Sequence, residues 1–128
     1  MSNILSLSNT SGSPVTVPAT ASPATLATLT VGENNYQAIE LSTMVTITTG
    51  GSSIAQSIDI DFRIDGVVSK TFALNTLAAA HVRPTNFQWM VKVNKKCTLT
   101  MTLKASSGAA VDANSNVVVN SFYAEGHF

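Results

Sequence analysis

Apolar and polar residues alternate along most of this chain, the period that puts successive side chains on opposite faces of a strand. Ile58, Ile60, Phe62 and Ile64 interleave with Asp59, Asp61, Arg63 and Asp65. Cys97, Leu99, Met101 and Leu103 interleave with Thr98, Thr100, Thr102 and Lys104. Phe87, Trp89, Val91 and Val93 form a third stripe, and Leu41, Thr43, Val45 and Ile47 a fourth. These stripes are the expected core. The segment from Val117 to Glu125 is apolar on both faces, with Val117, Val119 and Tyr123 on one and Val118 and Phe122 on the other. A strand of that kind is expected to be covered twice, by its own sandwich and by a neighbouring subunit.

Turn residues separate these runs. Asp65-Gly66 sits between Ile64 and Val67, and both residue types tolerate positive φ, so a tight hairpin is expected there. Gly32-Glu33-Asn34-Asn35 ends a segment from Thr25 to Val31, and Gly50-Gly51-Ser52-Ser53 ends one that begins near Tyr36. Asn94-Lys95-Lys96 connects two strong strands, and a polar loop runs from Ser106 to about Asn116. Leu77 to Ala80 has room for one helical turn, which Pro84 limits. The pattern predicts an all-β chain: an antiparallel β-sandwich of about eight strands, best matched by a jelly roll, with an immunoglobulin-type sandwich second. The Cys…Trp…Cys pattern of true immunoglobulin domains is missing.

Composition narrows the function. With 128 residues the chain suits one domain, able to bury a core without a disulfide or metal. One cysteine excludes an internal disulfide framework. Seven basic residues balance seven acidic ones, which argues against a nucleic-acid or anionic-membrane partner. No apolar run is long enough for a transmembrane helix, and Met1 to Gly12 has no basic residue or continuous apolar stretch of the signal-peptide kind. Synthesis in a cytoplasm is therefore expected, with any outside location reached by assembly or lysis. The chain carries 16 Thr and 15 Ser, which suits pleated, half-buried surfaces.

Candidate chemistry is sparse. His81 and His127 are the two histidines, and no Gly-x-Ser-x-Gly elbow places a nucleophile near either. Both read as loop, surface or interface residues. Asp59 and Asp61 share a strand face, but Arg63 interleaves with them, so a solvated or salt-bridged face explains the row. The spacing Asp59-x-Asp61-x-x-x-Asp65-Gly66 departs from a calcium loop in the place of its glycine and the missing distal Glu. Cys97 lies on an apolar stripe and reads as a small hydrophobe. Lys92, Lys95, Lys96 and Lys104 lie near Trp89, but Trp89 belongs to a core stripe rather than to a base-stacking platform. No catalytic, cofactor or metal set is expected, and the protein reads as no enzyme.

Residues 1–23 differ from the rest. Leu5 and Leu7 alternate with Ser6 and Ser8, and Pro14, Pro18 and Pro23 punctuate a Ser/Thr/Ala/Val stretch containing Val15 and Val17. This stretch is expected to be an extended arm or first edge strand, followed by a single sandwich domain over 24–128. With only 11% charged residues and an aromatic close at Phe122-Tyr123 and Phe128, the chain reads as a self-assembling building block. Leu5, Leu7, Val15, Val17, Phe122, Tyr123 and Phe128 are the expected assembly-interface residues.

The order of the Tyr36–Thr49 strand, the Ile58–Gly66 hairpin, Cys97-Thr98-Leu99-Thr100-Met101-Thr102-Leu103-Lys104-Ala105 and the Val/Asn-rich segment from Asn116 to Tyr123 resembles the small jelly rolls of tailed phages. The same pattern is similar to tumour necrosis factor-like jelly rolls of spore-surface proteins. The phage resemblance implies a head decoration (cement) or knob protein on a virion surface. It also implies a homotrimer seated on a capsid or surface lattice protein, with an arm that clamps adjacent subunits. A surface filament subunit and a receptor- or carbohydrate-binding module are the alternatives.

Overall fold

The computed structural model describes residues 2–6, 14–18, 23–33, 37–51, 56–77, 80–92, 95–106 and 115–127; for 2–6, 56 and 75–77 it describes the backbone path alone. The strands are β1 (Ser2–Ser6), β2 (Val15–Thr16), β3 (Ala24–Val31), β4 (Ala38–Thr48), β5 (Gln56–Ile64), β6 (Val67–Leu77), β7 (Val82–Val91), β8 (Cys97–Ala105) and β9 (Asn116–His127). The first sheet runs β1-β9-β4-β7, with β2 also on β9, and the second runs β3-β8-β5-β6. Every pairing is antiparallel. Because β1 and β2 both lie along β9, they fill one strand position, leaving eight positions, four per sheet. After β2 the chain changes sheet at each step except the β5–β6 hairpin. This is the jelly roll, and the expected fold class holds. Among the described residues, no helix is long and apolar enough to cross a membrane.

The four predicted stripes fill the space between the sheets, apart from Val93, which lies outside the described residues. Ile58, Ile60 and Phe62 of β5 meet Leu99, Met101 and Leu103 of β8 from one side. Leu41, Val45 and Ile47 of β4 close the other side with Phe87 and Val91 of β7. Phe62 is the hub of an aromatic cluster, with ring centroids 5.5 Å from Phe72, 6.5 Å from Phe87, 5.4 Å from Trp89 and 6.1 Å from Phe122. Edge-on and tilted geometries of this kind add to the burial term. Trp89 is thus half-buried and packs against the core, on the side its stripe predicted.

The Asp65-Gly66 turn has φ of 49° and 85°, the two positive values a two-residue hairpin with the right twist needs. Its tip is tied back to β8: Thr98 N–H donates to Asp65 Oδ1 at 2.9 Å, and Asp65 N–H donates to the Thr98 carbonyl at 2.9 Å. At the other end of β6 the strand continues through Leu77, where a helical turn had room to start. Ala80 then takes φ of 50° and donates its N–H to the Gly50 carbonyl at 2.7 Å. The His81 backbone locks onto Thr49 in both directions, donating to Thr49 Oγ1 at 2.9 Å and accepting from Thr49 N–H at 2.9 Å.

The last strand departs from its predicted pattern. Its pairing with β4 shifts between Met44 and Val45, so that Met44 faces Ser121 and Val45 faces Val119. Asn120 is the extra residue, a bulge. Thr43 Oγ1 donates to the Ser121 carbonyl at 2.8 Å, and Asn120 Nδ2 donates to Thr46 Oγ1 at 2.8 Å. The bulge reverses the parity of everything after it. Val117 and Val119 face the core, and then Phe122 and Ala124 do. The expectation that Tyr123 shares a face with Val117 and Val119 is therefore corrected: Tyr123 points outward and Phe122 inward.

Candidate functional site

The two sheets differ sharply on their outer faces. On the second sheet the charged row predicted from β5 is internally satisfied. Asp61, only 2% exposed, accepts from Thr71 Oγ1 and lies 3.7 Å from Arg63 Nη2 and 3.8 Å from Lys104 Nζ. Arg63 also donates from Nε to Thr102 Oγ1 at 3.1 Å and from Nη1 to the Gly66 carbonyl at 3.1 Å. Asp59 accepts from Ser106 Oγ at 2.8 Å. With their acceptors engaged by neighbours, these carboxylates hold strands together.

The outer face of the first sheet carries apolar side chains instead. Met44 is 43% exposed, Met90 51% and Val82 62%, three of the five large apolar residues exposed among those described. The other two, Val67 and Val68, follow the hairpin on β6. Register places Ser42 of β4 between Gln88 of β7 and Tyr123 of β9. Around it lies a shallow groove bordered by Met44, Asn86, Gln88, Ser121 and Tyr123. The Ser42 hydroxyl on its floor is buried and has no hydrogen-bond partner. A buried polar group without a partner costs stability until something supplies one.

Farther along this face, Glu40 and Glu125 stand directly opposite each other in the β4–β9 ladder, and His127 follows two residues later, opposite Ala38. One ligand atom from each of Glu40, Glu125 and His127 lies within 4.8 Å of the others. All three residues are partly buried. This constellation escaped the sequence reading, since Glu40 and His127 are far apart in the chain and only the β4–β9 register joins them. Cys97, by contrast, is enclosed as its stripe predicted. Burial pushes its thiol above the ordinary range, the Asp65 carboxylate pushes the same way, and Lys95 pulls it down.

The expected assembly residues are dispersed. Leu7 and Phe128 lie outside the described residues, and of Leu5 only the backbone, in β1 along β9, is described. Val15 is half-buried and packs against the core. Val17 and Phe122 belong to the chain's own core, Phe122 with no exposure at all. Tyr123 sits half-buried on the outer face, beside the groove. The exposed methionines were the signal passed over. Met44 and Met90 occupy polar-phase positions on their strands, where a solvated face has no use for them.

No protein-family model matches the chain, and no curated protein matches it in sequence. Solved structures do resemble it in fold. It is similar to the VP2 subviral particle of infectious bursal disease virus, with a TM-score of 0.54 and 14% identity over 99% of this chain and 32% of that one. It is also similar to the insecticidal delta-endotoxin Cry8Ea1 of Bacillus thuringiensis, with a TM-score of 0.52 and 11% identity over 87% of this chain and 19% of that one. The CBM36-1 domain of a multidomain xylanase from the hindgut metagenome of Trinervitermes trinervoides matches end to end, with a TM-score of 0.51, 8% identity, and 100% and 98% covered. The chain thus spans about a third of VP2 and about a fifth of the endotoxin. At these identities the likeness establishes the fold alone: the chain is a jelly-roll β-sandwich, similar in fold to the VP2 subviral particle and to the CBM36-1 domain.

Proposed function

We propose that this protein is a non-enzymatic, self-assembling structural protein of a virion surface, a capsid decoration (cement) or knob protein acting as a homotrimer. Its partners are further copies of itself and a capsid lattice protein. The observation that carries the reading is the contrast between the two outer faces. The charged row of β5 is satisfied within the chain, whereas the outer face of the first sheet exposes Met44, Met90 and Val82 and has a buried, unpartnered Ser42 hydroxyl in the groove beside Met44. Methionine adapts its shape to a partner and is favoured at contact surfaces. Residues 2–23 add the clamp. Ser2–Ser6 and Val15–Thr16 are held along β9 by edge pairing, which a neighbouring copy's β9 can supply equally well. Fold alone does not choose the role.

The test is native mass spectrometry of the untagged full chain beside a Met44→Lys/Met90→Lys variant. A trimer that the double variant dissociates, with unchanged far-ultraviolet circular dichroism, is the expected result. A monomer at every concentration, with or without the substitutions, overturns self-assembly. Deleting residues 2–13, which spares β2 and the core residue Val17, should abolish assembly, and normal assembly by the truncated chain overturns the clamp. The second reading, a carbohydrate-binding module, draws on the groove, where Asn86, Gln88 and Tyr123 offer polar groups beside Met44. Saturable glycan binding that Tyr123→Ala removes would establish it in place of the first.

A further inference from the structure

We propose that Glu40, Glu125 and His127 form a three-ligand site for a zinc-class divalent cation on the outer face of the first sheet. This inference does not rest on the assembly reading. The ladder makes Glu40 and Glu125 direct cross-strand neighbours, with His127 one pleat repeat beyond on the same face. Like charges placed directly opposite destabilise a sheet, so the pairing needs a reason. Among the described residues, no cation forms an ion pair with Glu40 or Glu125. His127 adds an independent observation: its Nε2 atom is buried and has no hydrogen-bond partner. Two adjacent carboxylates and an under-satisfied imidazole are thereby gathered at one place.

The donor set selects the ion. Imidazole with carboxylate suits zinc and its borderline neighbours, while magnesium and calcium take oxygen ligands almost alone. Zinc binds nitrogen and oxygen at about 2.0–2.2 Å, so tetrahedral ligand atoms stand about 3.3 Å apart. The three atoms here already lie within 4.8 Å of one another, and side-chain rotation alone can close the remaining gap. β9 is flanked by β1 on one side and β4 on the other, so two of the ligands ride on an interior strand of the sheet. Three protein ligands leave the fourth position open, to water or to a donor from a molecule docked on this face.

The experiment uses the untagged, EDTA-treated full chain titrated with zinc chloride, read by calorimetry and thermal melting. One equivalent should bind, and a hundredfold excess over Kd should raise the melting temperature by about 10 °C. Glu40→Gln should weaken zinc binding at least tenfold and, by relieving the repulsion, raise the melting temperature of the zinc-free protein. Those opposite signs separate a ligand from a residue needed only for folding. His127→Ala should also abolish binding, His81→Ala should leave it unchanged, and calcium chloride should produce no shift. No binding up to about 100 µM zinc, binding that survives both Glu40→Gln and His127→Ala, or a shift with calcium but not zinc would each overturn the site.

Discussion

Truncating Phe122 and Tyr123 to alanine, one at a time, separates the two faces of β9. Phe122 is fully buried, its ring 6.1 Å from the Phe62 hub. Removing the ring forfeits about 2–3 kcal/mol of transfer free energy. A residual cavity of about 80 Å³, at about 24 cal/mol per Å³, adds about 2 kcal/mol if the walls do not collapse. The total falls at about 3–5 kcal/mol, in line with other buried phenylalanines. An unfolding entropy of about 2.1 cal/mol/K per residue gives about 0.27 kcal/mol/K for a chain of 128 residues, so the melting temperature should fall by about 11–19 °C. Tyr123 is half-buried on the outer face, and its truncation should cost the isolated fold about 1 kcal/mol or less, a shift of about 4 °C. Thermal and urea melts at one fixed protein concentration, followed by Trp89 fluorescence and circular dichroism, give both values. A Tyr123→Ala protein that melts lower than Phe122→Ala would mean that the bulge at Asn120 does not set the parity of the strand.

Three further outcomes follow from local geometry. Gly50 N–H donates to the fully buried Ser115 Oγ at 3.0 Å, so Ser115→Ala should cost about 1–3 kcal/mol and speed hydrogen exchange at Gly50; unchanged exchange would count against that bond. Ala80 sits at φ of 50°, where a Cβ costs about 1–2 kcal/mol, and glycine's added chain entropy returns about 0.5–1 kcal/mol. Ala80→Gly should therefore raise stability by about 0.5 kcal/mol, and a loss would refute the left-handed assignment. The Cys97 thiol is raised first by burial and then by Asp65, with Lys95 opposing, so the folded state keeps its proton where the unfolded chain has lost it. That contribution is complete below the ordinary thiol range and disappears as pH rises through the raised folded value. Urea melts from about pH 7 to about pH 10 should show an alkaline decline that Cys97→Ala flattens, and equal declines in both proteins would sink the argument.

Much of the sandwich was legible because burial of one face imposes a period of two. The stripes on β4, β5, β7 and β8 contain enough Ile, Val, Leu and Phe to name their inward residues without coordinates. The Asp65-Gly66 hairpin was legible for a conformational reason, as both residues accept positive φ. The phase of β9 was not. Val117, Val118 and Val119 fit either face, so local hydrophobicity gives no phase, and the extra residue at Asn120 is written only in the partner strand's register. Val17 and Phe122 lie in the chain's own core, which the sequence could not signal for the same reason: an apolar residue on an ambiguous strand belongs equally to a core or to a contact. The Glu40, Glu125 and His127 cluster was invisible because long-range pairing alone brings it together.

The place of β9 also governs how the molecule must come into being. Asn116–His127 lies between β1–β2, from the start of the sequence, and β4. Until that segment has left the ribosome, the leading strands have no edge to join, and β4 has only β7 beside it. The first sheet therefore closes last and over the longest separation in the sequence, which predicts folding in milliseconds to seconds rather than microseconds. In that interval the partner edge of β4 is open and its apolar face uncovered, which makes a nascent or truncated chain far more prone to capture by another copy than the finished protein.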